Sequence, residues 1–166
     1  MLLNLQVKNL ALIEKAEVSF SEGLNILTGE TGAGKSIIIG SVNMALGGKT
    51  SRDMIRQGAD YAYVELVFSV DDPVKRKRLE ELDLDLPEDG TIIISKKIMP
   101  TRSLSKINDE TVTTGRLKEI TSLLIDIHGQ HEHQSLLYKS KHLQILDAYA
   151  RSQTQPLKEK ISANYH

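Results

Sequence analysis

Apolar and polar positions alternate from the first residues of the chain. Residues 2–8 read as a strand on this pattern, and residues 13–20, from Ile13 to Phe20, as a second. Leu24-Asn25-Ile26-Leu27 is a short apolar run that predicts a strand leading directly into a glycine-rich turn. From Lys35 to Leu46 the period changes to that of a helix, with Ile38, Val42, Ala45 and Leu46 on one face, and Gly47-Gly48 ends it. Between residues 61 and 70 the alternation returns. Ala62, Val64, Leu66, Phe68 and Val70 fall on one side, as in a half-buried strand.

The second half of the chain follows the same grammar. Asp72-Pro73 predicts a helix start, because Asp caps and Pro is at home in the first helical position; the helix is expected to run to about Leu82. Its run Lys75-Arg76-Lys77-Arg78 reads as a solvated face. Pro87 to Gly90 is a turn, Thr91 to Met99 a strand, and Leu104 to Asn108 another, which turns through Asp109-Glu110 into Thr111-Val112-Thr113 as a hairpin. Leu117, Ile120, Leu123 and Leu124 have helical spacing, after which Leu123 to Ile127 shifts toward a buried strand. From Ser140 a further helix is expected, with Leu143, Leu146 and Tyr149/Ala150 on one side. Beyond Arg151 the apolar stripe fades.

One segment carries chemistry that no bland reading uses. Gly29-Glu30-Thr31-Gly32-Ala33-Gly34-Lys35-Ser36 fits G-x-x-x-x-G-K-[ST] at every fixed position. Glycines let successive backbone N–H groups converge on one point, and a helix beginning at Lys35 places the positive end of its dipole there. In this pattern Lys35 reaches the β- and γ-phosphates of a nucleoside triphosphate and the Ser36 hydroxyl ligates Mg²⁺. A chance glycine-rich turn has no need of a lysine and a serine fixed to the helix start.

Composition narrows the field around this loop. The chain has 166 residues, a formal net charge of −1 and no cysteine, which excludes disulfides and thiolate metal sites. Bulk charge gives no support for nucleic-acid binding, so any DNA contact must come from a local patch, another part of a longer protein, or a partner. Apolar runs such as Ile37-Ile38-Ile39 are far shorter than the ~20 residues that span a bilayer, and no signal peptide is recognisable, so a cytoplasmic protein is expected.

The loop alone does not choose among kinases, GTPases and ABC-type ATPases. Asp126-Ile127-His128-Gly129-Gln130 matches the D-x-x-G-Q switch of small GTPases. Against that reading, the stretch from Lys35 to Asp126 is much longer than a compact GTPase uses, and no N-K-x-D motif for guanine occurs. An antiparallel pair, a phosphate loop, a meander of strands and a glutamine before an outgoing helix is instead the order of an ABC-type head. An ABC transporter subunit remains the other alternative, but it would carry a helical subdomain after the glutamine.

Four stretches make the chain resemble the bacterial RecN family of SMC-like DNA repair ATPases: Leu5 to Ile13, Gly23 to Ser36, Met54 to Ala59, and Asp126-Ile127-His128-Gly129-Gln130-His131-Glu132-His133-Gln134. The resemblance covers about residues 1–150. It implies an α/β P-loop NTPase fold of the ABC/SMC-type ATPase head, ATP and Mg²⁺ as cofactors, and a role in repair of DNA double-strand breaks by recombination. It makes Gln130 the glutamine that contacts Mg²⁺ and senses the γ-phosphate, alongside Lys35 in catalysis, and it puts Arg56 near the nucleotide. The implied partners are the C-terminal half of the same head, a second head in a homodimer, and DNA through the full-length protein, with no membrane and a nucleoid-associated cytoplasmic location.

A complete head of this kind also needs a signature loop, a Walker B strand ending in Asp-Glu, and a switch histidine, and none is found. Asp71-Asp72 follows a strand but reads as a helix cap. Residues 1–150 are therefore expected to form the N-terminal half of a head, with residues 151–166 as the start of a coiled coil or an artificial end. Alone, the chain is expected to bind ATP without turning it over. His128, His131 and His133 form a cluster that reads as a polar loop lining the nucleotide or dimer surface rather than a metal site.

Overall fold

The computed structural model describes residues 1–28, 34–127, 143, 146 and 149–164. Residues 1–126 form one compact unit and Ile127–His166 a second. The first is built on six antiparallel strands: β1 (Leu2–Leu10), β2 (Ile13–Ser19), β3 (Ala62–Ser69), β4 (Thr91–Ile98), β5 (Ser103–Ile107) and β6 (Glu110–Val112), in the order β2-β1-β3-β4-β5-β6. Helices α1 (Lys35–Ala45), α2 (Pro73–Glu80) and α3 (Thr114–Leu124) complete it, with a turn of 3-10 helix at Arg52–Met54.

The alternation in β3 does what it predicts. Ala62, Val64, Leu66, Phe68 and Val70 are all buried, and Leu5 and Val7 on β1 and Ile92, Ile94 and Ile98 on β4 join them on the same face. Helix α1 packs on this face against β3, β4 and β1, and α3 against β5. The buried side of α1 centres on Ser41, Met44 and Ala45. Ile38, Val42 and Leu46, predicted for that side, are only half-buried against the core. Asp72 caps α2 as expected, accepting from the N–H of Val74 at 2.8 Å and of Lys75 at 3.4 Å. In the β5–β6 turn Asn108 and Asp109 both adopt positive φ, 45° and 68°, the signature of the two-residue turn that matches strand twist.

Two predicted strands do not form. Residues 24–28 have no regular structure, and Leu24 and Ile26 are exposed at 86% and 72%. Local bonding holds this stretch as a turn: the Asn25 amide donates to the carbonyls of Ser21 at 2.8 Å and Gly23 at 3.3 Å, and its oxygen accepts from the Ser21 N–H at 3.1 Å. Residues 125–127 are likewise outside regular structure, while Leu123 and Leu124 belong to α3. A strand exists only through its neighbours' hydrogen bonds, and among the described residues neither run has a neighbouring strand.

Lys96 is the surprise in the core. It lies on the buried face of β4 between Ile94 and Ile98 and is 3% exposed. Burial, and then the nearby charge of Lys118, pushes its ammonium below the usual lysine range. The unfolded chain therefore binds this proton more tightly than the fold does. Between the lowered folded value and the ordinary 10.5, stability must rise with pH. Lys96→Met is expected to raise stability at neutral pH by on the order of 1 kcal/mol and to flatten that rise. Urea unfolding at neutral and alkaline pH checks it; a Met variant less stable than the parent would show that the ammonium makes a bond worth more than its burial costs.

In the second unit the described helix runs from Arg151 to Asn164 with Pro156 inside it. Leu157 and Ile161, one turn apart, are both exposed, as are Leu143, Leu146 and Tyr149 before it.

Candidate nucleotide-binding site

Helix α1 begins where the motif requires. Gly34 occupies the cap position, with φ −127° and ψ −49°, and Lys35 and Ser36 are the first two helical residues. The Ile38 N–H returns to the Gly34 carbonyl at 3.0 Å. Glycine at the cap offers no side-chain oxygen, and no acidic residue lies in the first turn. A helix start of this kind suits an anionic group. Among the described residues, a Cβ built on Gly34 meets nothing within 4 Å. These features fit a phosphate group. Lys35 is half-buried and Ser36 exposed at the helix start.

A cleft of about 320 Å³ runs beside α1. Its walls come from Leu10 and Ala11 at the β1–β2 turn, Ile37, Gly40 and Met44 on α1, and Met54 after the 3-10 turn. Sequence pattern gives no hint of it, because it depends on where the β1–β2 turn meets the helix. Backbone bonds fix that meeting: the Ala11 N–H donates to the Met54 carbonyl at 2.7 Å, and the Arg56 N–H to the Asn9 carbonyl at 3.0 Å.

Arg56 is drawn to that turn. Its guanidinium donates to the Leu12 carbonyl at 2.9 Å and lies 3.8 Å from the Glu14 carboxylate. Of the other residues singled out from the sequence, Gly29, Glu30, Thr31, Gly32 and Ala33, Gln130, and the histidines 128, 131 and 133 lie outside the described residues. Among the described residues no group of histidine, cysteine and carboxylate side chains could hold a metal ion, and no helix is long and apolar enough to cross a membrane.

Comparison with known proteins gives a consistent picture. Residues 4–164 match the AAA domain family. The chain is 44% identical over 153 residues to the DNA repair protein RecN of Halalkalibacterium halodurans, covering 90% of this chain and 27% of that protein. It is 39% identical over 168 residues to the DNA repair protein RecN of Bacillus subtilis, covering 99% of this chain and 29% of that protein. The chain thus spans less than a third of the length of these relatives. Among solved structures it is similar to one from work on ATP-driven dimerization and DNA-stimulated activation of SMC ATPases, at 23% identity and TM-score 0.61, over 74% of this chain and 78% of that one. It is also similar to the recombination mediator protein RecF, at 18% identity and TM-score 0.53, over 70% of this chain and 29% of that one. The fold is that of a P-loop ATPase head of the ABC/SMC type.

Proposed function

The chain belongs to the AAA domain family, and from that premise we propose that it is the ATP-binding N-terminal part of the head of a RecN-type, SMC-like ATPase acting in recombinational repair of DNA double-strand breaks. One observation carries this reading. A complete phosphate-loop motif leads into a helix that starts at its lysine, in a chain similar to RecN along nine-tenths of its length.

In this reading the backbone N–H groups of Gly29 to Ser36 surround the phosphates, and Lys35 neutralises the β- and γ-oxygens. The Ser36 hydroxyl and the Gln130 carboxamide would hold Mg²⁺, which supplies charge neutralisation between the phosphates. The apolar cleft beside α1 offers a purine ring cover from water. Arg56 joins the site only by leaving the Leu12 carbonyl and Glu14, so its part is the weakest in the set. The C-terminal half of the same head and a second head complete the enzyme, and DNA is its substrate surface. The exposed stripe of Leu157 and Ile161 supports a coiled coil beginning near residue 151. Residues 1–166 alone would bind ATP without turnover, because the carboxylate that activates water is supplied by the other half.

Two measurements test this. In competition on the full-length protein, ATP should bind at least as well as GTP, since the sequence carries no N-K-x-D motif for guanine; a clear preference for GTP would restore the D-x-x-G-Q reading of Asp126 to Gln130. Gln130→Ala should lower ATP hydrolysis by the full-length protein while changing thermal stability by less than ~1 kcal/mol. A larger loss of stability would make Gln130 a packing residue.

A further inference from the structure

The net charge of −1 conceals an uneven distribution. At the end of the sheet where β1 and β4 finish and β3 and β5 begin, basic side chains gather. Lys8 and Lys97 stand on the face opposite the helices and flank Tyr63 in register, Lys8 pairing with Tyr63 on one side and Lys97 on the other. Just beyond them the two ammonium groups close on the Tyr61 ring, Lys97 at 4.2 Å and Lys8 at 5.9 Å from its centroid. Past the end of β4, a cleft of about 200 Å³ is lined by Thr50, Ser51 and Arg52 on one side and by Thr101, Arg102 and Ser103 on the other. No carboxylate lines it. The ion pairs between described residues are Arg56 with Glu14 and Arg116 with Glu119, and neither involves Lys8, Arg52, Lys97 or Arg102. Asp53 and Asp60 are the exposed acids closest to it in sequence, and Glu17 and Glu65 stand one row further along the sheet. At the opposite end of the strands, Asp71, Asp72, Asp89, Asp109 and Glu110 collect around the turns, mixed with the bases of α2.

We propose that this basic end of the sheet, Lys8, Arg52, Lys97 and Arg102, is a contact surface for the phosphate backbone of duplex DNA, with one phosphate seated in the cleft between Arg52 and Arg102. The inference rests on the DNA-repair reading above and names the surface that reading leaves open. Guanidinium groups beside clustered hydroxyls suit a phosphodiester, which accepts hydrogen bonds and cannot donate them. The chemistry favours duplex backbone over single-stranded bases, because the aromatic face at this end is already covered by two ammonium groups and is not free to stack on a base. Such a surface binds without regard to sequence, and salt weakens it steeply.

The test is binding of a short mixed-sequence duplex by the full-length protein across a range of salt concentrations. The variants are the triple Arg52→Gln, Lys97→Gln, Arg102→Gln and a control triple at the other end, Lys75→Gln, Lys77→Gln, Arg78→Gln. All six side chains are exposed or half-exposed. The first triple should flatten the dependence of log affinity on log salt by about 2–3 units and weaken binding on the order of tenfold. Its ATP affinity and unfolding midpoint should stay at the parent's values, and the control triple should bind DNA like the parent. An unchanged salt slope in the first triple overturns the proposal. So does an equal loss in the control, which would move the surface to α2 or reduce the effect to overall charge. Loss of ATP affinity in the first triple would assign the cleft to the nucleotide. If the parent binds no DNA, the DNA-repair reading fails along with this proposal, and ATP titration shows whether the phosphate-loop reading stands by itself.

Discussion

Lys35→Ala is expected to weaken ATP binding tenfold or more while leaving the fold intact. In the proposed site its ammonium faces the β- and γ-phosphates, and Lys35 is half-buried as the first residue of α1. Charge-assisted hydrogen bonds of this kind contribute about 1.5–3 kcal/mol each, and a factor of ten in affinity corresponds to about 1.4 kcal/mol. Alanine is the best helix former, so the helix start has no reason to fray. Calorimetric titration with ATP, alongside a thermal melt, separates the two effects. Unchanged affinity would remove the loop from the nucleotide site; a collapse of the melt would mean that Lys35 holds the helix rather than the ligand.

Phe68→Ala should have the largest effect on stability. Phe68 is 1% exposed on β3, paired across the sheet with Leu2 and Ile92. Truncating a buried phenylalanine costs about 3–5 kcal/mol, from lost transfer energy and the cavity left behind, against a total stability of about 5–15 kcal/mol for a domain. The other phenylalanine, Phe20, follows β2 at the sheet's edge and is half-buried. Phe20→Ala should cost well under half as much. Urea denaturation of both variants checks the ratio, and equal costs would mean that β2 and the chain after it pack more deeply than the exposure of Phe20 indicates.

The contrast between β3 and the two missing strands shows what a sequence can and cannot carry. β3 announces itself because its two faces meet different solvents, and the alternation of Ala62 through Val70 records that difference residue by residue. Leu24 to Leu27 and Ile125 to Ile127 look like strands of the fully buried kind, whose apolar runs are written for neighbours on both sides. The pattern states a need for partners and cannot state whether they are there. Helix α2 was legible for the opposite reason: its start depends on Asp72 and Pro73 alone, and local chemistry is all there is to read.

The candidate site divides the same way. The phosphate loop is local, and its spacing specifies it fully. The cleft beside α1 depends on where the β1–β2 turn lands, and the basic end of the sheet on the register that brings Lys8 and Lys97 to either side of Tyr63. Neither is visible before the strands are paired. Lys96 did leave a signal. It shares parity with Ile92, Ile94 and Ile98 along β4, so a period-2 reading puts it inside, although a lysine amid polar neighbours invites the opposite choice.

The sheet order has a consequence for how this protein is made. From β3 to β6 each strand pairs with its successor in the chain, and only β1 reaches past β2 to find β3. The β1–β2, β4–β5 and β5–β6 pairings are local hairpins, whereas β1–β3 and β3–β4 join distant parts of the chain and must wait for a longer loop to close. Ribosomes add about 5–20 residues per second, so residues 1–126 are synthesised within roughly 6–25 s, and each of the three hairpins can close as soon as its second strand clears the exit tunnel. Leu24, Ile26 and Leu27 are exposed even when the unit is folded, an apolar stretch that invites unwanted association.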